Sequence, residues 1–327
     1  MTLIVRRPSP GRRPVWFWLC AAFCWTVSCT TALSSAVGGG PSRVLVTGAS
    51  GRTGQLVFEA LLNNPEFEPK ALVRSEKSAK VLRKRIPATR LDQIVVCDVT
   101  KDLNVTPPPG QEGCEAMVIC TSAVPKISKV SLLKQFLKIP FNLLRGKKAV
   151  DFRSMKFVWQ NGQYPEKVDY EGQVAQIDLA KKLGMKQVVV VSSMGGTDPS
   201  NFLNSVGKNP DGSGNGDILL WKRKAERYLV ESGLFYTVLH PGGLVDKPAG
   251  GEEFVLDVDD KLLENKKRSI SRADVANLCV AALTVGKGQK IALDCITREV
   301  EAGLVIKSAD EALSDFLNEN KVYNYAL

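Results

Sequence analysis

From Arg43 onward the chain alternates short, nearly unbroken apolar runs with longer stretches whose apolar residues recur at helical spacing. The apolar runs are Val44–Thr47, Ala71–Val73, Ile94–Cys97, Ala116–Cys120, Gln187–Ser192, Phe235–His240 and Ile291–Asp294. Each is predicted to be a strand. Helices are predicted over Thr53–Asn63, Asp169–Leu183, Asp217–Ser232 and Arg272–Thr284. Strands without polar alternation need burial on both faces, and helices spaced between them supply the cover. The pattern therefore predicts an α/β fold, a doubly wound parallel sheet in a single domain over residues 43–327. The runs Pro107–Gly110 and Asn209–Gly216 have the composition of surface loops.

Two segments break the alternation. Residues 1–42 carry Arg6, Arg7, Arg12 and Arg13 ahead of an uncharged stretch, Val15–Leu33, and then a Ser34-Ser35 and Gly38-Gly39-Gly40-Pro41 break. This is the order of a targeting leader: basic start, apolar run, small-residue exit. The apolar run is also long enough to serve as an uncleaved anchor. The second segment, 126–158, is an insert in which Lys126 to Lys156 include nine basic residues and one acid, Asp151. Its Val130, Leu132, Leu133, Phe136, Leu137 and Ile139 have helical spacing, with Lys129, Lys134 and Lys138 among them. A cationic amphipathic helix is expected there, packed on its own domain, covering an active site, or lying as a peripheral contact on an anionic membrane.

The net charge of +10 owes five arginines to residues 1–43, which contain no acid. The remaining body is mildly basic and has 7% aromatic residues, with no basic stripe or stacking platform, so no nucleic-acid partner is expected. Of eight cysteines, Cys20, Cys24 and Cys29 lie in the leader. Cys97, Cys114, Cys120, Cys279 and Cys295 are odd in number and sit mostly in apolar runs, which predicts buried free thiols. A translocation signal ahead of a reduced body fits a plastid reached through the secretory route, with the endoplasmic reticulum or another secretory compartment as the alternative.

The most specific motif lies at the first strand–helix turn, Gly48-Ala49-Ser50-Gly51-Arg52-Thr53-Gly54. Three glycines at this spacing allow a sharp turn, close approach of backbone to a pyrophosphate, and tight packing of helix on strand. Dinucleotide binding is therefore expected, with Ser50 and Thr53 in the loop. An NAD site would carry an acid after the second strand, where this chain has Val73-Arg74-Ser75. Arg74 and Arg52 suit a 2′-phosphate that a carboxylate would repel, so the predicted cofactor is NADP (as NADPH). Asp98, after the third strand, is a candidate acceptor for the adenine amino group, or alternatively a turn cap.

Further blocks follow in one collinear order: Thr121-Ser122-Ala123-Val124-Pro125, Asn161–Glu166 with Val168-Asp169, Val191–Gly196, Trp221–Glu226, Pro241–Leu244 and Arg272–Ala276. With the glycine turn and Leu72–Ser75 they resemble the atypical short-chain dehydrogenases/reductases, NAD(P)-binding Rossmann proteins of the NmrA-like kind, and above all an uncharacterised plant group. The resemblance covers about residues 43–295. It implies that Thr121, Ser122, Ala123, Pro241 and Gly242 also line the cofactor, that Lys222 holds the nicotinamide ribose, and that the C-terminal segments build the substrate pocket. In this superfamily a Tyr-x-x-x-Lys pair supplies the proton as hydride arrives. Alignment on Lys222 puts Ile218 at the tyrosine position, so the usual acid is missing. Lys222 and Ser193 remain as the candidate catalytic residues, with Ser192 or Ser193 as the strand-end serine that in the superfamily orients the carbonyl, and Tyr164, Lys222 or water as substitute donors. His240, the sole histidine, is expected to be packed or capping. No spacing of His, Cys or carboxylates suggests a metal site. Two functions are consistent with these residues: an NADP-dependent reductase of a small carbonyl, enone or quinone, and a non-catalytic NADP-binding protein that docks on a membrane or partner and reports redox state.

Overall fold

A computed structural model describes residues 41–101, 109–144, 156–159, 161–209, 211–300, 303 and 305–326. The leader therefore lies outside the described residues, apart from 41 and 42. Gly40–Leu327 forms one compact unit. Its strands are β1 (Ser42–Thr47), β2 (Phe67–Val73), β3 (Ile94–Val96), β4 (Ala116–Ile119), β5 (Lys126–Ile127), β6 (Phe157–Val158), β7 (Gln187–Val191), β8 (Phe235–Pro241), β9 (Gly243–Val245), β10 (Glu253–Asp257), β11 (Ser269–Ser271) and β12 (Lys290–Arg298). Eight form the main sheet in the order β10-β12-β8-β7-β4-β1-β2-β3. All neighbours in it are parallel except β10, which runs antiparallel to β12. The order reverses between β1 and β4, the switch point at which open α/β sheets bind ligands.

The expected parallel sheet is present, and its central strands are buried on both faces as the unbroken apolar runs require: Val44–Thr47, Met117–Ile119 and Val188–Val190 are at most 1% exposed. Two strands extend beyond their apolar runs. β2 starts at Phe67 and includes Pro69, because its first half pairs only with β1 while β3 joins at Ala71–Val73, so a missing N–H is tolerated. β12 runs on to Arg298 because antiparallel β10 pairs with its second half.

The helices are α1 (Gly54–Leu62), α2 (Glu76–Arg85), α3 (Lys129–Leu144), α4 (Gly172–Lys182), α5 (Phe202–Ser205), α6 (Ile218–Glu231), α7 (Arg272–Leu283) and α8 (Ala309–Asn318). The helix predicted over Asp169–Leu183 is present as α4, led into directly by a π-helical turn, Glu166–Glu171. α3 occupies the insert, as its apolar spacing predicts, and the short β5–β6 pair closes the base of that excursion. Among the described residues no helix is long and apolar enough to cross a membrane.

Candidate active site

The glycine turn is dictated by contact. Gly48 has φ of +65°, and a Cβ there would lie 2.9 Å from the Cys120 carbonyl; a Cβ on Gly54 would lie 2.3 Å from the Gly48 oxygen. The Gly51 N–H donates to that same oxygen at 2.8 Å, closing the turn just before α1 begins. The Thr53 side chain does not cap the start of α1. Beside this turn a cleft of about 480 Å³ runs across the carboxyl ends of four strands. Gly48 and Ser50–Thr53 line it after β1, Leu72 and Arg74 after β2, Cys97–Val99 after β3, and Cys120–Pro125 after β4. A glycine-walled cradle of this size, at this edge of the sheet, fits a dinucleotide.

The structure thus brings Gly48, Ser50, Gly51, Arg52, Thr53, Arg74, Asp98, Thr121, Ser122 and Ala123 to one cleft. Gly54 is pressed behind it against Gly48. Arg74 is exposed, while Arg52 lies 3.6 Å from Asp246, a carboxylate held more closely by Arg272 at 2.6 Å. Asp98 accepts from the Thr100 N–H at 3.1 Å and hydroxyl at 2.8 Å, so the turn-capping role is present, and the residue also faces the cleft. Pro241 and Gly242 are not among the lining residues. Gly242 is pressed against the Arg268 carbonyl, 2.3 Å from where its Cβ would be, and Leu244 reaches the cleft instead.

A second cavity of about 280 Å³ adjoins the first and shares Thr53, Cys120, Ser122, Pro125 and Leu244 with it. Its other walls are mainly apolar, with Trp159, Val191, Leu203, Val206, Ile218 and Leu219, and its polar groups include Ser192, Ser193 and Lys222. Ile218 and Lys222 stand one turn apart at the start of α6, both facing this space, as the alignment requires. The Lys222 Nζ lies 2.7 Å from Asp169 Oδ1, with both side chains buried. The other oxygen of Asp169 accepts the Ala123 N–H at 3.0 Å, so one carboxylate fixes both the lysine and the loop after β4. Tyr164 lines neither cavity. Burial pushes the Cys120 thiol up to about 12, so between the two cavities it stays protonated and non-nucleophilic.

Behind the second cavity lies a buried polar chain. The Ser192 hydroxyl donates to Glu226 Oε1; Glu226 Oε2 meets His240 Nε2 at 3.1 Å; His240 Nδ1 lies 3.4 Å from Asp294 Oδ1. The four residues are at most 7% exposed. Burial would drive the His240 imidazolium down, but Glu226 and Asp294 outweigh it and hold the group up at about 9. Burial alone would raise the Glu226 carboxyl, yet His240 and Ser192 keep it below the usual range. His240 is packed, as expected, with the Tyr323 ring 4.6 Å away. Asp169, Trp159, Glu226 and Asp294 are the residues that sequence reasoning missed as site members. Asp169 and Glu226 stand inside recognisable blocks, but nothing in their spacing marks which buried cation each would meet. Among the described residues no group of three or more His, Cys, Asp or Glu could hold a metal ion.

Residues 48–285 match the NAD(P)H-binding family. Sanguinarine reductase of Eschscholzia californica is 39% identical over 278 residues, 84% of this chain and 93% of that protein. An uncharacterised chloroplastic protein of Arabidopsis thaliana is also 39% identical, over 85% of this chain and 76% of its own length. A solved Bacillus halodurans protein assigned as an NAD-dependent epimerase/dehydratase superposes with a TM-score of 0.56 at 22% identity, covering 85% of this chain and all of that one; it shares the fold.

Proposed function

The chain belongs to the NAD(P)H-binding family, and from that premise we propose that it is an NADPH-dependent reductase of a small, largely apolar carbonyl, enone or quinone. The observation that carries this reading is the junction of the two cavities. A dinucleotide-sized cleft shares a wall with an apolar space that contains Lys222, Ser192 and Ser193. The cofactor supplies hydride when bound. Gly48, Gly51 and the start of α1 take the pyrophosphate, Arg74 and Arg52 the 2′-phosphate, and Lys222, oriented by Asp169, the ribose. The apolar walls exclude water and select a substrate with few polar groups. A relative that is named a reductase and matches over nearly its whole length supports the reaction type.

Plastid residence is supported by the chloroplastic relative, and the leader is the segment that would direct it. For the exposed apolar face of α3, with the basic residues around it in the sequence, we propose a peripheral contact with anionic membrane.

Reduction is tested by following NADPH oxidation against a panel of quinones, enones and simple aldehydes. Turnover is expected on quinones and enones and should be slower on simple aldehydes, whose alkoxide product is the stronger base and leans more on an acid at the site, general acid help being worth about 10²–10⁴-fold. Tight NADPH binding with no turnover on any of them would replace this reading with the non-catalytic one, which the isoleucine at 218 favours.

A further inference from the structure

With no tyrosine at position 218, the reduced oxygen must take its proton from another group. We propose that Ser192 delivers it and that the buried Glu226–His240 pair recharges Ser192 from within the core. This inference rests on the reductase reading and names its acid. Ser192 is the catalytic residue, since it alone of the three lines the second cavity; Glu226 and His240 position and resupply its proton.

The geometry is continuous. Glu226 spans the gap with its two oxygens, Oε1 on the Ser192 hydroxyl and Oε2 on His240 Nε2 at 3.1 Å. As the substrate carbonyl carbon gains hydride, the C–O π pair moves onto oxygen, and that oxygen takes the Ser192 hydroxyl proton. To do so the Ser192 hydroxyl leaves Glu226 Oε1; the His240 Nε2 proton moves to Glu226 Oε2, and the carboxyl, now neutral, turns that oxygen to Ser192 and hands the proton to Ser192 Oγ. Serine and carboxylate end as they began, and His240 ends neutral, one proton poorer. NADPH is the reductant, and solvent restores the imidazolium before the next turnover.

The surroundings suit a stored proton. Glu226 and Arg223 face the site from α6, Asp294 from β12, Asp260 from the turn after β10, and Tyr323 and Tyr325 from the C-terminal segment. Asp294 sits 3.4 Å from His240 Nδ1 and accepts the Asp260 N–H at 2.6 Å, which fixes the imidazole from behind. Arg223 reaches the tail, its guanidinium over the Tyr323 and Tyr325 rings at 5.0 and 4.7 Å, and its charge also acts on Glu226. The imidazolium is thus held between two carboxylates, with His240 Nε2 on the side nearer the cavity. A buried ion pair is a weak source of stability, so an all-apolar core would serve folding about as well.

Because His240 is the only histidine in the chain, one imidazole NMR resonance reports its state in the protein without substrate. That resonance should titrate near pH 9, and Glu226→Gln should move it down toward the ordinary histidine range. In turnover, kcat on the best quinone or enone should fall as pH rises through about 9. His240→Gln, checked for folding by NADPH affinity, should lower kcat about 100-fold at pH 7 with KM for NADPH kept, and should abolish that alkaline limb. Ser192→Ala should lower kcat similarly. A resonance already neutral at pH 7, or an alkaline limb that survives in His240→Gln, overturns the relay alone. A titration near pH 9 with no turnover on any substrate overturns the reductase reading and the relay with it.

Discussion

Arg74 leaves the end of β2 exposed at the lip of the cleft, where no carboxylate among the described residues forms an ion pair with it, whereas Arg52 stands within 3.6 Å of Asp246. Of the two, Arg74 is the freer to meet a 2′-phosphate. Hydrogen bonds to a charged group are worth about 1.5–3 kcal/mol, and about 1.4 kcal/mol is a factor of ten in affinity. Arg74→Asp should therefore shift preference from NADPH toward NADH by at least tenfold, read as the ratio of the two Kd values from cofactor fluorescence. Equal affinities in the unmutated protein would remove the NADP assignment. The glycine turn and Arg74 are legible in sequence because each acts through its own backbone or its own charge. Asp169 is not, because its role depends on Lys222 and Ala123, which come from distant parts of the chain.

α3 is a helix with an uncovered apolar side. Val130, Leu133, Phe136 and Leu137 are each at least 60% exposed, and Leu144 is 85% exposed. These positions recur at helical spacing, so they form one stripe. The segment's excess of bases over acids gives that stripe the company of an interfacial helix, for which apolar insertion and attraction to anionic headgroups act together. β5 and β6 pair Lys126 with Val158, so the ends of the insert meet and it can be shortened without parting the main sheet. We expect the protein to co-sediment with vesicles containing anionic lipid, less so at high salt, and a variant lacking 129–155 to remain in solution with NADPH binding intact. Equal sedimentation of both forms would dismiss the contact. Periodicity alone finds α3. The same reasoning misses β10, all of whose residues are half-buried on one antiparallel edge, and α2, a mostly charged helix that buries only Ala79 and Leu82.

At the scale of the molecule, the alternation of apolar runs and amphipathic stretches gives the doubly wound sheet, since burial on both faces is written into each strand. The ionic core is not written anywhere locally: Ser192 follows β7, and Glu226, His240 and Asp294 lie on α6, β8 and β12. Their meeting is a product of strand order, and it gives stability a dependence on pH whose sign can be worked out. His240 is held up at about 9, above its unfolded value near 6.5, so its contribution is complete below 6.5 and is lost as pH rises to 9. The thiols of buried Cys114 and half-buried Cys120 are raised to about 11 and about 12, so the loss they cause begins only near the ordinary thiol value, above pH 9. Glu252, held down to about 2 by Lys267, Thr297 and Lys247 against the cost of burial, loses its contribution on the acid side as pH falls below the usual carboxylate range. The two alkaline losses therefore occupy separate windows. Tm should decline from pH 7 to 9 in the unmutated protein, and His240→Gln should flatten that interval while leaving the decline above pH 9 in place. If the decline between 7 and 9 is the same in both proteins, the imidazolium is not the group that titrates there.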